Sequence, residues 1–251
     1  MRYLKEIKDK YEQQGYLLLQ NFFDEHSLLK LENILLKFHK IWLAENEAYY
    51  KNGLINSHSL TSGNTLHQKE KLELFNFISS DNLYQIMTRI FPSEAVFLNT
   101  QLFFDPFNQS QHNYWHRDIQ YTGLSLDDQK KAIKKQNVIH FRIPLKAEKG
   151  IELIPGSHNN WDLAEEYDVR MSLNGKNPSD PLSRGKQISL NRSDLLVFSA
   201  NLIHRGIYGN DRLSFDVLFV DKNPEMNRFI DPANHPSANL LEQLDKKDLF
   251  L

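Results

Sequence analysis

The chain contains no cysteine, which excludes disulfides, thiolate metal sites and a cysteine nucleophile. An excess of one charge sign is also missing, because 30 Lys and Arg stand against 32 Asp and Glu, a net charge of −2. This balance provides no field that would attract nucleic acid or an anionic membrane. No apolar run approaches the roughly 18 residues of a membrane span, and the first residues form no secretory signal. We therefore expect a cytoplasmic protein in which any metal is bound by histidine and carboxylate side chains.

The spacing of apolar residues divides the chain into a helical part and a β part. Before residue 95 apolar side chains recur at helical spacing, with Asp24 as a candidate N-cap for a helix that carries Leu28, Leu31 and Leu35. One short strand is predicted within this part, at 16–19. From Ala95 onward the period becomes 2, which is typical of strands.

The β part is predicted to contain many short strands, at 96–104, 115–121, 137–145, 151–154, 186–190, 194–199 and 213–220. Irregular segments separate them, the longest at 159–185. This order favours a mainly β fold, a double-sheet barrel of jelly-roll type with N-terminal helices packed on one sheet. We expect a single domain over 1–251, with a mainly helical layer at 1–94, the jelly-roll core at 95–222 and a C-terminal extension at 223–251.

Three side chains form the most informative pattern in the sequence: His116, Asp118 and the distal His204. If 115–120 is extended, His116 and Asp118 project from one face of a strand about 7 Å apart while Arg117 points away. Two imidazoles and one carboxylate on one face of a metal leave three positions open, which is typical of non-haem Fe(II) oxygenases. We therefore predict that these three residues bind a metal and form the catalytic centre.

Arg212 follows the distal histidine by eight residues and begins an alternating strand. A guanidinium there can form a bidentate pair with the far carboxylate of a dicarboxylic cosubstrate whose other end chelates iron. The simpler alternative is an ion pair with Asp211 or Asp216 at the surface. Beside the three candidate ligands, we favour the cosubstrate role.

Four segments with ordered spacing extend the pattern: a Gly-Tyr opening within 13–23, Trp-His-Arg-Asp at 115–118, Pro-Gly-Ser-His at 155–158 and the strand 193–198 before the distal histidine. Together they resemble the phytanoyl-CoA dioxygenase-like family of Fe(II)/2-oxoglutarate-dependent oxygenases, over most of the chain. The resemblance implies a double-stranded β-helix core of the cupin type, with His116, Asp118 and His204 as metal ligands. It also implies that Arg212 anchors 2-oxoglutarate, that Gln101 contacts it, and that His158 is structural.

Arg142 departs from the family pattern, in which an aromatic or small residue is common. Strand alternation places His140 and Arg142 on one face, towards the barrel interior. A buried guanidinium is costly unless an acid or an anion meets it. Two partners are open: an internal acid such as Glu152, or an anionic group of the substrate or of 2-oxoglutarate.

The family resemblance implies Fe(II), 2-oxoglutarate and O₂ as cofactors and a small molecule as substrate. The reaction expected is hydroxylation of an unactivated C–H bond, with release of succinate and CO₂. Asp118 argues against halogenation, because halogenating relatives carry a small residue at that position. Desaturation, epimerisation and ring closure stay open since they use the same ligands. A different class of answer is a non-catalytic jelly-roll protein that binds a structural metal or another ligand.

Overall fold

The computed structural model describes residues 2–250, with side chains from residue 6 onward. The strands are β1 (Tyr16–Leu19), β2 (Asn56–His58), β3 (Ala95–Phe104), β4 (Val138–Pro144), β5 (Glu148–Leu153), β6 (Lys186–Leu190), β7 (Leu195–Ser199), β8 (His204–Gly206) and β9 (Leu213–Asp221). The α-helices are α1 (Arg2–Gln14), α2 (Glu25–Glu45), α3 (Glu47–Lys51), α4 (Gln68–Ile78), α5 (Asp81–Ile90), α6 (Leu126–Ala132), α7 (Ala164–Arg170), α8 (Pro224–Asn227) and α9 (Ala238–Leu241). Within the described residues, no helix combines the length and the apolar character needed to cross a membrane.

The strands form two antiparallel sheets, a large one in the order β1-β7-β4-β9-β3-β2 and a small one in the order β6-β5-β8. One cavity is lined from both sheets, by Gln101 and His140 of the large sheet and by His204 and Gly206 of the small one. The predicted mainly β jelly-roll is therefore confirmed. Both edge strands of the large sheet, β1 and β2, come from the first 94 residues, so the N-terminal layer also completes the sheet.

Helix α2 shows how the helical layer is attached to the large sheet. The side chain of Asp24 accepts a hydrogen bond at 2.9 Å from a backbone N–H three residues on, so the predicted N-cap is confirmed. Leu28, Leu31 and Leu35 are at most 2% exposed and join one apolar cluster with alternate residues of β4 and β9. Burial of each such side chain stabilises the fold by about 1.5–3 kcal/mol. The helices thereby cover the outer face of the large sheet and leave its inner face to the cavity.

Some local predictions differ from the structure. The predicted strand 115–121 is a single bridge between His116 and His204 followed by a 3-10 helix at Asp118–Tyr121. The strands β2 and β8 were not predicted, because three residues are too few to show a period. The segment 159–185, expected to be irregular, contains α7.

A β-bulge in β3 changes which side chains face the cavity. The register passes from Phe97 opposite Phe219 directly to Asn99 opposite Leu218, so Leu98 is an extra residue. The simple alternation predicted from Ala95 to Phe104 therefore shifts phase at this point. Both Leu98 and Asn99 line the cavity, whereas Phe97 packs on the helical side.

Candidate metal centre

The segment that carries His116 and Asp118 is held from behind by the residue between them. Arg117 is extended (φ −120°, ψ 141°), so its side chain points away from its two neighbours. It is fully buried, its Nε donates to Asp162 at 2.7 Å, and one terminal nitrogen donates to the carbonyl of Ser157 at 2.7 Å. Because a buried charge must be paired, this anchoring fixes the segment. The predicted alternation holds at these three residues although no strand forms.

Backbone pairing brings His204 to the same place. The N–H of His204 donates to the carbonyl of His116 at 2.9 Å, and the reverse bond has the same length. The N–H of Asp118 donates to the carbonyl of Ala200 at 3.1 Å. The two imidazole centroids consequently lie 4.3 Å apart.

The candidate ligand atoms of the three side chains converge on one point. Nε2 of His116 and Nε2 of His204 each lie 3.6 Å from Oδ1 of Asp118, and one ligand atom from each side chain lies within 4.8 Å of the others. The Nδ1 atoms face carbonyls, of Tyr114 at 3.1 Å and of Leu202 at 2.9 Å. Since a carbonyl only accepts, each Nδ1 carries the proton and each Nε2 offers its lone pair to the shared point.

The protonation states of this set suit a divalent cation. Burial lowers the pKa of His204 to about 3, helped by the nearby His116, and burial also lowers the pKa of His116. Both imidazoles are therefore neutral at neutral pH. Burial alone would raise the pKa of Asp118, but a hydrogen bond from His140 and the nearby imidazoles hold it below its ordinary value. Two neutral nitrogens and one carboxylate that open on a cavity fit Fe(II).

Behind Asp118 lies a buried chain of charged groups. Nε2 of His140 is 2.8 Å from Oδ2 of Asp118, and its Nδ1 is 3.0 Å from Oδ2 of Asp216. Arg142 completes the chain, donating to the two oxygens of Asp216 at 2.8 and 2.9 Å. Burial would lower the pKa of His140, but the two carboxylates raise it to about 9, so the ring donates to both. Burial would likewise raise the pKa of Asp216, but the charge of Arg142 lowers it to about 2.

The suggestion of Glu152 as the internal partner of Arg142 is wrong. Glu152 lies on β5 in the small sheet, where Oε2 accepts bonds of 2.8 and 2.6 Å from Arg205. The partner is Asp216, which stands directly opposite Arg142 in the β4-β9 register. Sequence reasoning missed this pair because the order of strands in a sheet is not readable from local alternation. With this bidentate pair formed, a direct contact between Arg142 and the cosubstrate stays a prediction.

Arg212 lines the same cavity with a guanidinium that makes no hydrogen bond to residues 2–250. The residue is 2% exposed, and a carboxylate oxygen of Glu148 lies 3.5 Å from its Nε. That oxygen already accepts a 2.6 Å bond from the hydroxyl of Ser214. The alternative partners, Asp211 and Asp216, are paired with other cations. A buried cation with unused donors is a suitable receptor for a carboxylate.

The structure places all six predicted site residues on one cavity of about 510 Å³: Gln101, His116, Asp118, Arg142, His204 and Arg212. Gly206 makes room for the arginine at one end, because a Cβ there would lie 2.6 Å from a guanidinium nitrogen of Arg212. His158 lies outside this cavity and packs against Gly15, in agreement with a structural role. His112 is exposed.

The chain matches the family model "Phytanoyl-CoA dioxygenase (PhyH)" over residues 11–207. No curated protein matches it in sequence. Among solved structures it is similar to the non-haem α-ketoglutarate-dependent carbocyclase SnoK from nogalamycin biosynthesis, with a TM-score of 0.60, 14% identity and 94% of each chain covered. It is also similar to AviO1 from Streptomyces viridochromogenes Tue57, with a TM-score of 0.60, 16% identity and coverage of 87% of this chain and 95% of that one.

A third similar structure is EctD from S. alaskensis, with a TM-score of 0.57, 13% identity and coverage of 86% of this chain and 75% of that one. At these identities the structural likeness shows the fold alone. The family model, in contrast, spans most of the sequence and includes His116, Asp118 and His204. The chain belongs to the phytanoyl-CoA dioxygenase family.

Proposed function

We propose that this protein is an Fe(II)/2-oxoglutarate-dependent dioxygenase that hydroxylates an unactivated C–H bond of a small molecule. Its family uses Fe(II), 2-oxoglutarate and O₂, and these are the cofactors of this chain. The observation that carries the proposal is one cavity that holds both the convergent His116, Asp118 and His204 set and the unsatisfied guanidinium of Arg212. A dicarboxylic 2-oxo acid fits both, since one end can chelate a metal while the other meets a cation.

The proposed roles follow from the positions of the side chains. His116, Asp118 and His204 hold the iron, which when bound supplies O₂ activation coupled to oxidative decarboxylation of 2-oxoglutarate to succinate and CO₂. Arg212 binds the far carboxylate of the cosubstrate by charge-assisted hydrogen bonds. Gln101 lines the cavity from β3, where it stands opposite Asp216 of β9. Its side-chain amide adds a contact to the cosubstrate.

His140 and the pair behind it position Asp118 rather than touch the reacting groups. Because His140 holds Oδ2 of Asp118 at 2.8 Å, the other oxygen, Oδ1, is left to face the two imidazoles. Asp216 in turn holds the ring of His140, and Arg142 holds Asp216. Such partners orient ligands and tune metal affinity.

The catalytic unit proposed is one domain over 1–251. The N-terminal helices, the large sheet and the end of the C-terminal segment share a single apolar cluster, which includes Leu28, Phe141, Leu240 and Phe250. A cluster shared in this way supports cooperative folding of the three regions.

Hydroxylation is proposed over other outcomes because the inserted oxygen comes from O₂ and no further protein group is needed. Two similar structures are named as an epimerase and a carbocyclase. Identifying the product therefore distinguishes hydroxylation from these reactions. A non-catalytic metal-binding protein is the second candidate, and it predicts no turnover of 2-oxoglutarate at all.

The experiment is a screen of small molecules with Fe(II), 2-oxoglutarate and ¹⁸O₂, read out as succinate release followed by mass analysis of the product. We expect a product heavier by one labelled oxygen atom. A product of unchanged mass or one that has lost two hydrogens would replace hydroxylation by epimerisation or desaturation. His204→Ala should abolish succinate release, whereas His26→Ala, at an exposed histidine, should not. Succinate release that persists in His204→Ala would remove that residue from the ligand set.

A further inference from the structure

We infer that the substrate is an uncharged, mainly apolar molecule that presents a hydrogen-bonding group to Asn99, an inference that rests on the proposed function. The cavity has two chemically different ends, and only one of them is used by the cosubstrate. The other end carries an apolar wall, and the unsatisfied amide oxygen of Asn99 lies beside it.

Polarity changes from charged to apolar along the strands that line the cavity. Paired residues form rows across the neighbouring strands β4, β9 and β3, with one residue from each strand. In that strand order, three successive rows are Arg142-Asp216-Gln101, His140-Leu218-Asn99 and Val138-Val220-Val96. Successive rows lie two residues apart, about 6–7 Å. Arg212 lies beyond the first row, and His140 in the second row bonds Asp118. The metal site therefore lies between a charged end and an apolar end.

The segment after β9 closes the apolar end. Met226 on α8 and Phe229 just after it both line the cavity. They pack in one apolar cluster with Leu98, Val138 and Leu218. Part of the C-terminal extension thus forms a wall of the site, and the area it offers suits an apolar ring or chain.

Asn99, in the middle row beside this end, is a polar group with an unused acceptor. Asn99 faces the cavity together with Gln101, as strand alternation requires, and the bulge adds Leu98 to the same face. Its Oδ1 is buried and has no hydrogen-bond partner in the part of the chain that the structure describes. An unpaired buried acceptor is unfavourable, so a bound molecule that donates to it is favoured.

The ionised groups around the cavity leave no positive charge for an anionic substrate. The two positive charges are those of Arg142 and Arg212. The three negative charges are the carboxylates of Asp118, Asp216 and Glu148. Fe(II) adds two positive charges and 2-oxoglutarate adds two negative ones, so together they do not change this balance.

The remaining basic side chains do not alter the conclusion. His140, which donates to both Asp118 and Asp216, adds one positive charge and only makes the charges equal, and burial lowers the pKa of His58 on the cavity wall. Among the described residues that line the cavity, none is a lysine. An anionic substrate would therefore be buried without a compensating cation, which is costly.

The test uses three probes of the same shape: 2-naphthol, naphthalene and 2-naphthoate. Their binding to protein loaded with Zn(II) and 2-oxoglutarate is measured by ligand-observed NMR, so that no turnover is needed. We expect 2-naphthol to bind about fivefold more tightly than naphthalene, because it gains one hydrogen bond. It should bind more than about tenfold more tightly than 2-naphthoate, because the carboxylate finds no cation.

Two variants locate the binding site. Asn99→Leu should lower the affinity for 2-naphthol to that for naphthalene, whereas Asn239→Leu, at an exposed asparagine, should leave both unchanged. Phe229→Lys places a cation in the partly exposed wall and should increase the affinity for 2-naphthoate at least about tenfold. This second variant keeps the test valid if Asn99→Leu has a lowered melting temperature.

Three results would overturn the inference: 2-naphthoate binding as tightly as 2-naphthol, no effect of both Asn99→Leu and Phe229→Lys, or dissociation constants above about 10 mM for all three probes. Calorimetry of 2-oxoglutarate binding to the same Zn(II)-loaded protein separates this inference from the proposed function. If 2-oxoglutarate binds normally, those results reject only the substrate class. If it does not bind, the proposed function fails as well.

Discussion

Replacing Arg212 by methionine removes the guanidinium at the charged end of the cavity while keeping most of the side-chain volume. Without cosubstrate, none of the guanidinium nitrogens has a hydrogen-bond partner among residues 2–250, and Glu148 keeps its bond from Ser214. No hydrogen bond is lost, but the buried carboxylate of Glu148, 3.5 Å from the Nε of Arg212, loses its ion-pair partner. We therefore expect the free energy of unfolding of the metal-free variant to fall by about 3–5 kcal/mol.

Cosubstrate affinity should fall as well, for a separate reason. A bidentate pair between Arg212 and a carboxylate contains two charge-assisted hydrogen bonds of roughly 1.5–3 kcal/mol each. Water that enters the vacated space restores part of this, so the net loss should be about 3–4 kcal/mol, or two to three orders of magnitude in affinity. Metal affinity should not change, because Arg212 makes no hydrogen bond to His116, Asp118 or His204.

Calorimetry of 2-oxoglutarate binding to the Zn(II)-loaded protein, with melting temperatures of the metal-free protein, measures both effects. Arg192→Met is the matched control, because Arg192 pairs with Glu25 and Glu32 and is not part of the cavity wall. Its affinity for 2-oxoglutarate should equal that of wild type. If Arg212→Met also keeps wild-type affinity, the anchor lies elsewhere, and Arg142 is the next candidate.

Further predictions concern the residues behind the metal site and one buried histidine. Asp216→Asn leaves Arg142 without its counter-charge and should lower the free energy of unfolding by about 3–5 kcal/mol in urea titrations; a loss below about 1 kcal/mol would contradict this. His140→Gln should weaken metal binding about 10–100-fold in chelator competition, and unchanged affinity would show that the ring does not orient Asp118. Burial lowers the pKa of His158 to about 4 from an ordinary 6.5, so between pH 7 and 5 the unfolded chain takes up a proton that the folded chain does not. Wild type should therefore lose about 2 kcal/mol of stability relative to His158→Gln over this range, and parallel pH profiles would refute that assignment.

The fold and the three candidate ligands could be predicted from local patterns in the sequence. The N-cap at Asp24, the change of period at Ala95 and the His-x-Asp spacing each depend on residues that are close in sequence. The common face of His116 and Asp118 needed only one extended residue between them, and Arg117 supplies it. This explains why the pair is presented as predicted although the expected strand is absent.

The partners of the ligands depended on contacts between distant parts of the chain. Arg142 meets Asp216 because β4 and β9 are neighbours in the sheet, an order that local alternation does not contain. Leu98 faces the cavity beside Asn99 because of a bulge, which a count of alternating residues cannot detect. The role of Met226 depends on where the chain turns after β9.

The central claim, that His116, Asp118 and His204 hold one iron that binds 2-oxoglutarate, is tested most directly by the visible spectrum under anaerobic conditions. Wild-type protein with Fe(II) and 2-oxoglutarate should develop the weak charge-transfer band of the chelate. Alanine at any of the three positions should abolish the band and turnover while far-ultraviolet circular dichroism stays unchanged, because the apolar core does not depend on the site. A wild-type protein without the band, or a full band in any one of the three variants, would contradict the account.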